Sequence, residues 1–220
     1  MSKRIFSTAT IIACFALLVS CKKKADAVPV PSDFGPLTTG STWTYQSTTA
    51  GSPSTSYTLT ATSRDTSING KSFRVLTNST GPNNYRNKTG NDYYSFGSFQ
   101  ALNLKLEQLY LKDNVDVNAT WQSTQAFTVP QFPLPLTATF IYTLKEKGIS
   151  RNVNNKAFTN VIKVGLNISV SAGIGAVANA DFYYAPGVGL IENTYNVNAI
   201  PLAQVSASST TEILTSYSIK

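Results

Sequence analysis

From Ile162 to Val170 the chain alternates with a strict period of two. Ile162, Val164, Leu166, Ile168 and Val170 are apolar, and Lys163, Gly165, Asn167 and Ser169 separate them. Successive side chains of an extended strand point to opposite faces, so this pattern buries one face and wets the other. Strands wetted on one side belong to antiparallel sheets. The rhythm recurs in Tyr57, Leu59 and Ala61 between threonines, and in Ala138, Phe140, Tyr142 and Leu144. Asn69-Gly70, between two such runs, is a strong hairpin signal, and Pro186-Gly187 reads as another tight turn. Only Gln100–Leu109 carries a weak helical pattern. With 42% hydrophobic residues, including 11 Phe and 11 Tyr, the chain has material for a sizeable core.

Laid against itself, the chain shows a repeat. Trp43 is followed by YTLTATSRDTSINGKSFRVL (57–76) and then Asn91-Asp92-Tyr93-Tyr94; Trp121 is followed by YTLKEKGISRNVNNKAFTNVIKV (142–164) and then Ala180-Asp181-Phe182-Tyr183. Tyr57 aligns with Tyr142, Phe73 with Phe158, and Asp92 with Asp181. The expected fold class is therefore mainly β: an antiparallel curved sheet, sandwich or half-barrel built from two related meanders, about 41–96 and 119–195. Little helix is expected outside the N-terminal apolar run. The two meanders pack either as halves of one continuous sheet or as two sheets face to face.

The N-terminus has a different grammar. Met1-Ser2-Lys3-Arg4 precedes an apolar run from Ile5 to Val19, too short to span a bilayer and typical of a secretory signal. Leu18-Val19-Ser20-Cys21 ends that run and resembles the lipobox of bacterial lipoproteins. The resemblance implies cleavage before Cys21 and lipidation of its thiol. Residues 1–20 are then the signal peptide, 21–36 a lipid-anchored, Pro-rich flexible linker, and 37–220 a single β domain. Cys14 leaves with the signal, so the mature chain holds one thiol and no internal disulfide.

Charge divides the same way. Of 18 basic residues, five lie in the first 24 positions, and from Asp33 onward the chain holds 13 basic and 10 acidic residues. No basic stripe survives in the body, which excludes nucleic acid as the expected partner. Lys22–Lys24 stand where lipid headgroups would be.

The Gly40–Trp43 opening and the segment YYAPGVGLIE (183–192) resemble uncharacterised lipoproteins of Gram-negative bacteria. In those proteins the body is a mostly β, duplicated unit, sometimes a half-barrel like that of periplasmic lipoprotein carriers. The resemblance implies a place in the cell envelope, at the outer membrane, and transfers no catalytic residue.

Without His, Ser-His-Asp and Cys-His nucleophile systems cannot be built, and zinc lacks its usual ligands. Asp113-Asn114-Val115-Asp116-Val117-Asn118 offers alternate oxygens but lacks the Gly and distal Glu of a calcium loop. No spacing among the nine or so body carboxylates selects a glycosidase pair. The chain is therefore expected to be no enzyme and to need no cofactor. The expected role is non-catalytic: binding, scaffolding or interaction with an envelope protein. Two alternatives stay open. One is a carrier or sensor of an apolar ligand in a cavity of the curved sheet. The other is a carbohydrate-binding surface, for which Tyr93, Tyr94, Tyr183 and Tyr184 are the candidate stacking residues, expected to leave part of a tyrosine row exposed.

Overall fold

A computed structural model describes residues 33–99, 104–128, 135–200 and 205–220. Cys21 and the signal segment lie outside the described residues. Twelve strands form one sheet: β1 (Thr42–Thr49), β2 (Thr55–Ile68), β3 (Lys71–Asn78), β4 (Asn84–Thr89), β5 (Asp92–Phe99), β6 (Leu104–Lys112), β7 (Thr120–Phe127), β8 (Leu136–Val153), β9 (Lys156–Val170), β10 (Gly175–Ala185), β11 (Gly189–Val197) and β12 (Ser208–Ser218). Their order is β6-β5-β4-β3-β2-β1-β12-β11-β10-β9-β8-β7. Of the two packings open to the meanders, the single continuous sheet is the one formed.

Every strand but one pairs antiparallel with its successor in the chain, and the first strand pairs with the last. Trp43 stands opposite Tyr217, and Gln46 opposite Ile213. The chain is thus an up-and-down meander, zipped through its own ends and left open between β6 and β7. That seam nearly closes. The indole of Trp121 on β7 donates to the Leu109 carbonyl on β6 at 2.6 Å and stacks on Tyr142, ring centroids 5.8 Å apart. The result is a sheet curled into an almost complete barrel.

The Asn-Gly turn forms as its residue types require. Asn69 and Gly70 have φ of 51° and 77°, the doubly left-handed pair of a type I′ hairpin. Asn154 and Asn155, at 47° and 61°, make the equivalent turn between β8 and β9. Asn tolerates this region because its short polar side chain offsets part of the steric cost. Pro186-Gly187 turns the chain from β10 into β11, with Val188 donating to the Ala185 carbonyl and Gly187 at φ 72°. The long β8–β9 hairpin bends at bulges near Glu146 and Ile149. Its tip lies against β12, where the Asn154 amide donates to the Thr215 carbonyl.

Trp43 begins the first half and Trp121 the second, and each half then runs into a long hairpin. Asp92 and Asp181 do not share a place: they stand on the fifth strand of one half and the fourth of the other. Gln100–Leu109 is not helical where it is described, since Leu104–Leu109 belongs to β6. Leu104, Leu106 and Leu111 bury there, and pairing with β5 overrides the weak helical pattern. The expected linker also ends earlier than Pro36. Phe34 is buried in the core, its N–H donates to the Tyr93 hydroxyl at 3.1 Å, and the Asp33 carbonyl accepts from Gly187. A Cβ on Gly35 would come 3.0 Å from the Tyr93 ring, so this crossing needs a glycine. The prolines signal a tether, but one buried aromatic fastens its last residues.

Two apolar clusters hold the sheet. One gathers Phe140, Leu144, Ile162, Val164 and Ile168 with Leu106, Leu111 and Tyr93 from the other half. The second gathers Trp43, Tyr45, Leu59 and Leu76 with Val161, Phe158 and Ile191. Each fully buried Leu, Ile, Val or Phe contributes about 1.5–3 kcal/mol, so the fold stands on apolar burial without a covalent staple. The exterior is polar. Among the described residues, Val117 is the large hydrophobic side chain left exposed.

Candidate functional site

Curling a twelve-stranded sheet leaves space inside that side chains do not fill. Two compartments of about 840 Å³ and 720 Å³ lie in it. They share Asn84, Arg86, Phe96, Gly97, Ser98 and Glu212, so they are neighbouring chambers of one lumen. Trp43, Leu59, Leu76 and Val188 line the first chamber at buried positions. Leu106, Leu166 and Ile168 do the same for the second. Pro82, Asn83, Gly97, Ser98 and Lys105 are exposed lining residues and form a mouth. Either chamber falls in the size range of small-molecule sites, roughly 300–1,000 Å³.

Charge inside the lumen is sparse and asymmetric. Glu212, from β12, is the one carboxylate among the described lining residues. Both its oxygens are engaged: Tyr57 donates to one at 2.8 Å, and the Asn193 amide to the other at 2.6 Å. Asn193 stands directly opposite Glu212 across the β11–β12 ladder, which fixes this bond.

Arg86, from β4, is the cation. Ser95 lies opposite it on β5 and Arg74 on β3. Arg74 turns to Asp65 at 2.6 Å and to the Leu37 and Thr62 carbonyls. Among the described residues Arg86 makes no ion pair and no hydrogen bond; its guanidinium lies over the Tyr110 ring, 4.8 Å from the centroid. It is partly buried and lines both chambers.

Four tyrosines, Tyr45, Tyr57, Tyr110 and Tyr184, act electrostatically on Arg86. Burial pushes all four phenols above their ordinary range. They are therefore neutral at physiological pH and supply no countercharge. Tyr45 donates to the Leu190 carbonyl at 2.9 Å and Tyr57 to Glu212. The hydroxyls of Tyr110 and Tyr184 have no hydrogen-bond partner among the described residues. In the second chamber the buried hydroxyl of Tyr195 is also unpartnered.

The tyrosines singled out in the sequence behave otherwise. Tyr93, Tyr183 and Tyr184 are all buried, and Tyr94 partly so. Tyr93 donates to Asp113 at 2.8 Å, and Arg151 covers the Tyr183 ring at 3.8 Å. Tyr94 lies under the Lys71 ammonium. No exposed row forms: Tyr93 and Tyr184 lie in the apolar core, and the side chains of Lys71, Arg151 and Lys163 cover Tyr94 and Tyr183. Only Tyr184 reaches the lumen.

The remaining acids are structural partners. Asp92 pairs with Lys112, Glu107 with Lys71, and Glu192 with Arg151 through two bonds of 2.9 and 2.7 Å. In the 113–118 turn, Lys147 donates to the Asp113 carbonyl, so an ammonium occupies the oxygen a calcium ion would take. Among the described residues no cluster of three or more acids or thiols is arranged to hold a metal.

Arg86, Tyr110 and Glu212 did not stand out in the sequence. Nothing separates Arg86 from the other basic residues there; its distinction is the missing partner, which only packing reveals. No family model matches the chain, and no curated protein or solved structure matches it either.

Proposed function

We propose that this chain is a non-catalytic binding protein of the cell envelope that holds a small, largely apolar molecule in the lumen of its curled sheet. The lumen itself carries the reading: a space of ligand size, bounded by buried Trp, Leu and Ile and reached through a polar mouth. A chain that needed only a scaffold would gain by filling such space, since unfilled core volume forfeits packing energy. The polar exterior supports a body in water, because a spanning barrel turns an apolar band outward. Cys21, lipidated as its lipobox-like setting implies, would tether this body to the outer membrane near a supply of apolar molecules. The exposed tyrosine row that a carbohydrate surface needs is not formed.

The test is a titration of the full chain with N-phenyl-1-naphthylamine, a neutral dye that brightens in apolar surroundings. Saturable binding at one site is expected, and it should persist in Cys21→Ser, which moves from the membrane to the soluble fraction. Gly97→Trp should block it. Gly97 lines both chambers, has no atom within 4 Å of the position its Cβ would take, and has no left-handed backbone, so a side chain can start there and the indole would occupy the mouth. A dye that does not bind, or binds Gly97→Trp equally well, would sink the lumen reading. Membrane fractionation of Cys21→Ser would sink the anchor.

A further inference from the structure

The structure assigns the lumen a ligand class: an amphiphile with a single carboxylate head, bound at Arg86, and an apolar chain lying against Trp43, Leu59 and Leu76. This rests on the lumen being a binding site. The carrying observation is a cation with no partner. Arg86 is partly buried and lines both chambers, yet it has neither an ion pair nor a hydrogen bond among the described residues. An unpaired interior charge is costly, and a guanidinium cannot relieve the cost by losing its proton. Seven basic side chains are ion-paired: Lys71, Arg74, Lys88, Lys112, Lys145, Arg151 and Lys163. Of the unpaired ones among the described residues, Arg64, Lys105, Lys147, Lys156 and Lys220 are exposed to water, whereas Arg86 is partly buried and faces the lumen.

The surroundings narrow the anion. Glu212 lines the same chambers but forms no ion pair with Arg86; its oxygens accept from Tyr57 and Asn193 instead. The neutral ring of Tyr110 stabilises the guanidinium through its face without neutralising it. The free hydroxyls of Tyr110 and Tyr184, whose rings lie 5.6 Å apart, are donors available to a second acceptor oxygen. A planar fork with donors beside it matches a carboxylate held by two parallel bonds. Arg86 is the inner cation, with Lys105 out at the exposed mouth, and it matches one negative charge; the Glu212 carboxylate in the same lumen disfavours a doubly charged phosphate. The apolar walls on either side of Arg86 then take the chain.

The experiment displaces N-phenyl-1-naphthylamine from the full chain with dodecanoate, 1-dodecanol or dodecyl phosphate at pH 8. Dodecanoate is expected to displace the dye at concentrations about tenfold lower than the alcohol, the value of one charge-assisted bidentate contact. In Arg86→Gln, which removes the charge and leaves a shorter polar side chain, acid and alcohol should converge. Arg86→Lys should fall between, having the charge without the fork. Equal displacement by acid and alcohol in the unaltered chain overturns the inference, and so does a preference that survives in Arg86→Gln. Dodecyl phosphate displacing at lower concentration than dodecanoate overturns the single-charge head. The comparison in the unaltered chain decides even if Arg86→Gln does not fold. Dye that never binds the unaltered chain instead removes the lumen reading beneath it.

Discussion

The Arg86 guanidinium lies 4.8 Å above the ring of Tyr110, and among the described residues it makes no ion pair and no hydrogen bond. The two residues come from β4 and β6, which are not adjacent; β5 lies between them. Their contact reaches across β5 inside the curled sheet. The curled form in turn depends on the seam between β6 and β7.

Trp121 tests that dependence. Its indole donates to the Leu109 carbonyl and stacks on Tyr142. Trp121→Phe keeps an aromatic ring but deletes the bond, worth about 1 kcal/mol net. For a domain of this size that lowers the thermal midpoint by about 2–4 °C. Thermal unfolding followed by circular dichroism checks it. An unchanged midpoint would mean that the seam bond adds nothing to the closed form.

Asp181 provides a prediction in pH. Burial acts to raise its carboxyl, but hydrogen bonds from Lys145 and Lys163, at 2.5 and 3.2 Å, and their charges outweigh it and hold the group below its ordinary value. A folded value below the unfolded one, about 3.9, means the unfolded chain binds the proton more readily. The contribution is fully present above that value and is lost as pH falls through the folded value. The advantage of the unaltered chain over Asp181→Asn in urea midpoint should hold from pH 7 to 5 and shrink below about pH 4. The group is partly exposed, so the advantage should also weaken in salt. A difference that stays constant down to the acid transition would contradict this.

What the sequence discloses, and what it withholds, follows from the range of the interactions. The strand runs at 138–144 and 162–170 are legible because alternation is a local property, and so are the turns at Asn69-Gly70 and Pro186-Gly187. The fate of Tyr93, Tyr183 and Tyr184 is not, because what covers them comes from distant parts of the chain: Phe34 and Asp113 at Tyr93, Arg151 and Lys163 over Tyr183, and Tyr110 beside Tyr184. Phe34 was hidden among prolines that argue for a tether. Arg86 is harder still. Its role depends on an absence, since the acids on β2, β6 and β11 are taken by Arg74, Lys71 and Arg151. That bookkeeping involves strands far apart in the chain, and no local pattern encodes it.

The most direct measurement uses the chain's two tryptophans. Trp43 lines the first chamber, its indole donating to the Val188 carbonyl at 2.7 Å, whereas Trp121 sits on the seam and borders neither chamber. 11-Bromo-1-undecanol, a neutral amphiphile whose bromine quenches fluorescence on contact, is titrated into two single-tryptophan chains. With Trp121→Phe, where Trp43 remains, the emission should fall steeply and saturate. With Trp43→Phe, where Trp121 remains, it should hardly change. Equal quenching of both, or quenching of Trp121 alone, would place the molecule outside the lumen and contradict the account.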